Sequence, residues 1–192
     1  LPLILLAALT FLAGLGRGAI TDADEAFYAE AAREMVQSGD VVTPTYNCEP
    51  RFQKPVFYYW LTAATFAATG GPGEAGARLW AALSGIGLVL VTAACARRWF
   101  DDGVALLSGA IVATSFGYHS IGRMALPDLP LTFFMTLAIW AGWVAMLEND
   151  RHRTRWVLLA SLALGLGFLT KGPVGVIVPA LVVVPVVLME RR

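Results

Sequence analysis

The sequence predicts an all-α fold, a polytopic transmembrane helical bundle with two amphipathic surface helices in its first outer loop. Three observations carry that prediction. Of the 192 residues 57% are hydrophobic and only 15% charged, against roughly 25% charged in an ordinary soluble domain. Apolar runs of membrane-spanning length recur along the chain. Between the first two of them lies a long polar segment with helical periodicity.

Six spans are expected, at 1–20, 79–96, 104–120, 129–147, 156–170 and 173–189. The first reads as a retained helix and not a signal peptide, because no small-x-small cleavage pattern precedes Arg17 and further spans follow. The last two are short and are expected to tilt or to extend into their connection. Gly165, Gly167, Pro179 and Pro185 are tolerable inside them, since neighbouring helices resatisfy the backbone in lipid. The chain begins at Leu1 without a methionine and ends directly after an apolar run, so it is expected to be a fragment of something longer.

Loop charge gives the orientation. Arg97-Arg98, the run Arg151-His152-Arg153-Thr154-Arg155, and Arg191-Arg192 are separated by even numbers of spans, so they share one side, and the positive-inside rule makes that side cytoplasmic. The outer side then receives 21–78, the connection around Arg123 to Asp128, and the turn Lys171-Gly172-Pro173. Segment 21–78 holds eight acids and four bases, a net charge of minus four. Formal charge over the whole chain is zero and no basic block stands outside short loops, which speaks against nucleic acid as a partner. Cys48 and Cys95 lie in a polar loop and an apolar span, so neither a disulfide nor a cysteine-based metal site is expected.

Within 21–78, apolar residues at 27, 28, 31, 32, 35 and 36 form the stripe of an amphipathic helix over 24–37, which Ser38-Gly39 ends. Lys54-Pro55 opens a second helix whose aromatic residues, from Phe57 to Trp60, suit the membrane interface. Gly70-Gly71-Pro72-Gly73 breaks it.

Four carboxylates fall within nine positions at the start of the first surface helix: Asp22, Asp24, Glu25 and Glu30. Asp22 suits an N-cap with Glu25 as its capping-box partner, and acids in a first turn face the positive end of the helix dipole. That structural account does not require Asp24, which is placed where a general base would be held. An Asp-x-Asp metal and nucleotide site is a third, weaker reading. Lys54, beside a helix start, suits a phosphate or a lysine snorkelling to the interface. Arg123 and Asp128 are either a functional pair or a salt bridge that fixes their turn, and Lys171 is expected on the same face. His119 reads as structural, His152 as solvated, and Trp140, Trp143 and Trp156 as interfacial anchors. Carboxylates for proton abstraction and cations for a phosphate on one face point to transfer of a group from a lipid phosphate.

At these residues the chain resembles the polyprenol-phosphate-dependent glycosyltransferases of the protein O-mannosyltransferase superfamily, in the branch of the 4-amino-4-deoxy-L-arabinose transferases of lipid A. The resemblance runs in order through Asp24-Glu25-Ala26-Phe27-Tyr28-Ala29-Glu30, Arg33-Glu34-Met35, Gly39-Asp40, Lys54-Pro55-Val56-Phe57-Tyr58-Tyr59-Trp60-Leu61, Arg123-Met124-Ala125-Leu126-Pro127-Asp128 and Leu169-Thr170-Lys171-Gly172-Pro173. It implies an inverting transferase of the bacterial inner membrane with its site on the outer, periplasmic face. The donor would be a polyprenyl-phosphate-linked sugar and the acceptor a lipid or a protein. Asp24, Glu25 and Asp128 would be catalytic, and Lys54, Arg123, Tyr28, Tyr58 and Lys171 would bind substrate. No cofactor is expected, with a divalent metal left open. The family's chains are much longer, and their missing part normally completes both substrate sites. A transporter or lipid flippase with a charged pathway is the alternative; it should place ionisable groups at mid-span and often shows repeated halves.

Overall fold

The computed structural model describes residues 1–147 and 151–190; Arg191-Arg192, assigned above to the cytoplasmic side, lie outside the described residues. The fold is mostly helical. In order, the described elements are α1 (Pro2–Leu12), α2 (Ala23–Ser38), a two-residue hairpin β1 (Thr45–Tyr46) and β2 (Glu49–Pro50), α3 (Phe57–Thr69), α4 (Glu74–Trp99), α5 (Asp102–Thr114), α6 (Phe116–Ile121), α7 (Asp128–Leu147), α8 (Arg153–Lys171) and α9 (Val174–Glu190). The hairpin is antiparallel, with Thr45 opposite Pro50 and Tyr46 opposite Glu49.

Two of these helices, Glu74–Trp99 and Asp128–Met146, are long and apolar enough to cross a membrane. At 1.5 Å per residue α4 extends about 39 Å. Pro2–Leu12, Asp102–Thr114 and Val174–Glu190 are shorter apolar helices. Several turn large apolar side chains outward: Leu5 is 61% exposed, Leu107 61% and Leu181 68%. Water is a poor solvent for such flanks, and a lipid acyl layer is a good one.

The first expected span is much shorter than 1–20. Helix α1 stops at Leu12, and Gly14 takes a left-handed φ of 67°. The run Gly14-Leu15-Gly16-Arg17-Gly18 is apolar enough to pass as helix by hydropathy, yet glycine costs up to about 1 kcal/mol per residue in a helix interior. Arginines from later elements take the carbonyls that this early stop releases, as described below. The second span starts earlier than 79, at Glu74, and so includes Arg78. The third, expected unbroken over 104–120, divides into α5 and α6 at Ser115, whose ψ of 124° is extended. The Thr114 hydroxyl donates to the Ala110 carbonyl there, and such local side-chain bonds compete with helix continuation. Helix α8 begins three residues before 156, within the arginine run.

Helix α7 is the hub of the bundle, packing against α4, α8 and α9, while α4 also carries α1 and α5. Helices α2 and α3 pack on each other, and α3 rests on α4. Their shared core is aromatic, with Tyr28, Tyr58, Tyr59 and Phe66 against Ala31, Ala32 and Ala77. A second core joins α1 to α4, α5 and α7 through Phe11, Leu88, Val89 and Leu129.

Candidate active site

Helix α2 begins as its sequence demands. Asp22 is the N-cap, and its Oδ1 accepts from the backbone N–H of Asp24 at 2.9 Å and of Glu25 at 3.3 Å. Gly39, at a left-handed φ of 73°, closes the helix. The expected capping box is not formed, because the Glu25 carboxylate turns away from Asp22 and into the protein.

Glu25 is 3% exposed and Arg78, from the first turn of α4, is 7% exposed. The Arg78 Nε donates to Glu25 Oε1 at 2.9 Å and its Nη2 to Oε2 at 3.1 Å. The remaining N–H groups reach the end of α1: Nη1 donates to the carbonyls of Leu15 at 3.2 Å and Gly18 at 2.7 Å, and Nη2 to that of Ala19 at 3.2 Å. Glu25 Oε1 also accepts from the Ala125 N–H at 2.6 Å. One ion pair thus fastens four segments: the exit of α1, the start of α2, the start of α4 and the connection leading to α7. The sequence reading counted Arg78 only as a loop charge. Its position at the edge of the apolar run from Leu79 was the available signal, since a charge there needs a partner.

Arg123 does not pair with Asp128. Its Nη1 donates to the carbonyls of Thr10 at 3.3 Å, Phe11 at 3.4 Å and Ala13 at 2.8 Å, the place at a helix C-terminus where the dipole favours a cation. Asp128 is bound by Lys171 instead, with Nζ to Oδ1 at 2.6 Å, and both side chains keep access to solvent. The expected Arg123–Asp128 salt bridge is therefore replaced by two contacts to other helices.

Lys171 also lines a pocket of about 430 Å³ whose other polar lining comes from Lys54 and Gln53, beneath Phe52 and Phe168. Lys54 forms no ion pair among the described residues. Two lysines around one opening with aromatic walls suit an anion that carries an apolar tail.

Asp24 is exposed, and its carboxylate has no hydrogen bond or ion pair among the described residues. Its neighbourhood is visible at Tyr28, one turn along α2. Burial pushes the Tyr28 phenol well above its ordinary range; Tyr59, Asp128 and Asp24 push the same way, and Arg51 pulls against them. Asp24, Asp128 and Arg51 therefore act together on one hydroxyl. Tyr28 packs on Tyr58 and Tyr59 at ring separations of 5.4 and 5.5 Å. Tyr58 is fully buried and donates to the Ala77 carbonyl at 3.3 Å, so it shapes the site from beneath. Sequence reasoning missed Arg51, whose guanidinium stacks 4.1 Å from the centroid of Phe27 and 5.7 Å from that of Tyr46. Among the described residues, no three His, Cys, Asp or Glu side chains gather as a metal site.

At the opposite end of α4, Arg98, His152, Arg155 and Trp156 surround a separate pocket. Arg98 and Arg155, assigned above to one side, are thus brought together away from Lys54, Asp128 and Lys171.

Carboxylates and lysines at one end of a helical bundle with apolar flanks define a membrane-type protein. Residues 5–192 match the family of dolichyl-phosphate-mannose-protein mannosyltransferases, and the chain belongs to it. It is similar to the undecaprenyl phosphate-alpha-4-amino-4-deoxy-L-arabinose arabinosyl transferase of Aeromonas salmonicida, 33% identical over 193 residues that cover 100% of this chain and 35% of that protein. Among solved structures it resembles ArnT from Cupriavidus metallidurans in the apo state, with a TM-score of 0.91, 31% identity, and coverage of 100% of this chain and 36% of the other. The same protein bound to undecaprenyl phosphate gives a TM-score of 0.91 at 31% identity over 99% of this chain and 35% of the other. An oligosaccharyltransferase of Archaeoglobus fulgidus shares the fold alone, with a TM-score of 0.63 and 13% identity over 88% of this chain and 23% of that one. The chain spans about a third of the length of these first relatives.

Proposed function

We propose that this chain is the N-terminal part of a glycosyltransferase that moves a sugar from a polyprenyl phosphate to a lipid or protein acceptor at the outer face of the bacterial inner membrane. The observation that carries the reading is the pocket in which Lys54 and Lys171 stand together while Lys171 holds Asp128. Similarity to a protein crystallised with undecaprenyl phosphate supports the choice of donor.

The chemistry is a single inverting displacement. An acceptor oxygen bonds to the anomeric carbon as the bond from that carbon to the phosphate oxygen breaks. Asp24, with no competing partner among the described residues, receives the acceptor proton. The leaving polyprenyl phosphate departs as an anion, whose charge Lys54 and Lys171 stabilise where it develops. Asp128 orients Lys171. Tyr28, buried against Tyr58 and Tyr59, stays a neutral phenol and can donate a hydrogen bond. Glu25, expected to be catalytic, is here a positioning residue held by Arg78, while Arg123 spends its Nη1 on the end of α1. The six spans, the interfacial placement of α2 and α3, and the periplasmic orientation belong to the same proposal. Separation of the arginine pocket from the acid and lysine end supports them, and it disfavours a transporter with charges at mid-span.

The test uses the full-length protein in liposomes with labelled polyprenyl-phosphate sugars and candidate acceptors. Asp24→Asn should lower transfer by at least about 100-fold while the protein still folds and binds donor; normal turnover in that variant would refute its role. Labelling from outside the cell of a cysteine placed at Gly71 checks the orientation.

A further inference from the structure

A second polar pocket, of about 440 Å³, opens where α1 ends, lined among others by Arg17, Arg78, Arg123 and Glu25. Three guanidinium groups facing one carboxylate leave an excess of two positive charges. The arginines are not equivalent. Arg78 has all five of its N–H donors committed, to Glu25 and to the carbonyls of Leu15, Gly18 and Ala19. Arg123 spends only Nη1 on α1, so its Nε and Nη2 edge stays available. Arg17 is exposed, and its guanidinium has no partner among the described residues.

The site has fixed walls and free donors. The buried Glu25–Arg78 pair holds the glycine-rich backbone of 15–19 in place, and Arg123 is anchored to the last turn of α1 just before it. Arg17 and Arg123 thus line one opening with planar donor forks, a donor type that matches phosphate oxygens. This opening is separate from the one between Lys54 and Lys171, although the connection between α6 and α7 joins them: Arg123 and Met124 line the first, and Asp128 holds a lysine of the second.

We infer that this pocket binds the phosphate of a lipid headgroup through Arg17 and the free edge of Arg123. It is an anion site additional to the donor site, and only that distinction rests on the proposed function. A lipid phosphate has two sources, the bulk membrane lipid or a phosphorylated lipid acceptor.

The experiment measures lipid retention by native mass spectrometry on the full-length protein in a phosphate-free maltoside detergent. The probes are phosphatidic acid, a phosphorylated acyl-disaccharide, its dephosphorylated form, and undecaprenyl phosphate. Arg17→Glu should reduce retention of phosphatidic acid or the phosphorylated acyl-disaccharide by about tenfold or more and reduce that of undecaprenyl phosphate less, because the donor site also holds it, and Arg17→Gln should give a smaller reduction. Loss of both phosphate-headed probes assigns the site to membrane lipid, and loss of the disaccharide alone assigns it to the acceptor. Equal retention of phosphorylated and dephosphorylated probes by the wild type, or undiminished retention by Arg17→Glu, overturns the inference. Because the readout is binding, absence of sugar transfer would refute the proposed function and leave this result intact.

Discussion

Arg78→Met is the perturbation that tests most directly how the site is held together. The methionine fills much of the arginine stem's volume but removes the charge. Glu25, 3% exposed, would then keep a single donor, the Ala125 N–H at 2.6 Å. Breaking a buried ion pair from one side costs about 3–5 kcal/mol, because the other charge is left uncompensated. The carbonyls of Gly18 and Ala19 add little, since both residues are exposed and water replaces the lost donor. At about 1 °C per kcal/mol for a full-length protein roughly three times this length, the apparent melting temperature should fall by about 3–5 °C. Tryptophan fluorescence of the detergent-solubilised full-length protein reports it. Adding Glu25→Gln should restore at least about 2 kcal/mol of the loss, since the glutamine amide oxygen still accepts from Ala125 and carries no charge. Arg78→Lys should fall between, because an ammonium can meet Glu25 but cannot also span the three carbonyls. A single variant melting within about 2 °C of the wild type, or a double variant no better than the single, would refute the clamp.

Three further outcomes follow from the same geometry. Lys54→Ala should weaken binding of undecaprenyl phosphate by roughly 10- to 100-fold, the value of one charge-assisted contact, and isothermal titration with unchanged affinity would remove Lys54 from the phosphate site. Gly175→Ala should destabilise by about 1–3 kcal/mol, because a Cβ there would stand 2.5 Å from the Gly167 carbonyl oxygen and force α8 and α9 apart; Gly165→Ala, with nothing within 4 Å, serves as the neutral control in the same melt. Burial raises the phenols of Tyr28, Tyr58 and Tyr59. A raised folded value means the stability they confer is complete below the unfolded value of about 10 and is lost only as pH climbs from there. The tyrosinate absorbance gained between about pH 9 and 10.5 should therefore be the same in the wild type and in the triple phenylalanine variant, and a smaller gain in the variant would contradict the burial.

What could be read from the sequence was local, and what could not was pairing at long range. Asp22 as a cap, Gly39 as a stop, the aromatic helix after Pro55 and the gathering of Lys54, Asp128 and Lys171 depend on nearest-neighbour chemistry or on counting apolar runs. Partners separated by many positions do not: Glu25 meets Arg78 across 53 residues, and Lys171 meets Asp128 across 43. The Arg123–Asp128 pair was a reasonable expectation only because the two stand close in sequence. The early end of α1 was hidden for another reason, since hydropathy rates Gly14, Gly16 and Gly18 as compatible with a span and is blind to their backbone freedom. Once that backbone leaves the helix, its carbonyls need donors, and this need explains why Arg78 and Arg123 point where they do.

The different fates of Asp24 and Glu25 follow from one helical step. Consecutive residues on a helix point about 100° apart, so with Asp22 fixing the start of α2, only one of the two carboxylates can face the core. Glu25 does, and its two oxygens accept from three N–H groups. A carboxylate so occupied is a good anchor. Asp24, on the exposed side, gains a rigid mounting from its neighbour without losing its lone pairs to it. The same division recurs among the cations. Arg78 is wholly consumed and Arg123 partly so, whereas Lys54 and Arg17 remain available. Groups available to a ligand thus stand beside groups fully spent on structure, and a loss of Glu25 or Arg78 should act on turnover through the placement of Asp24 and Asp128 and not through the proton transfer itself.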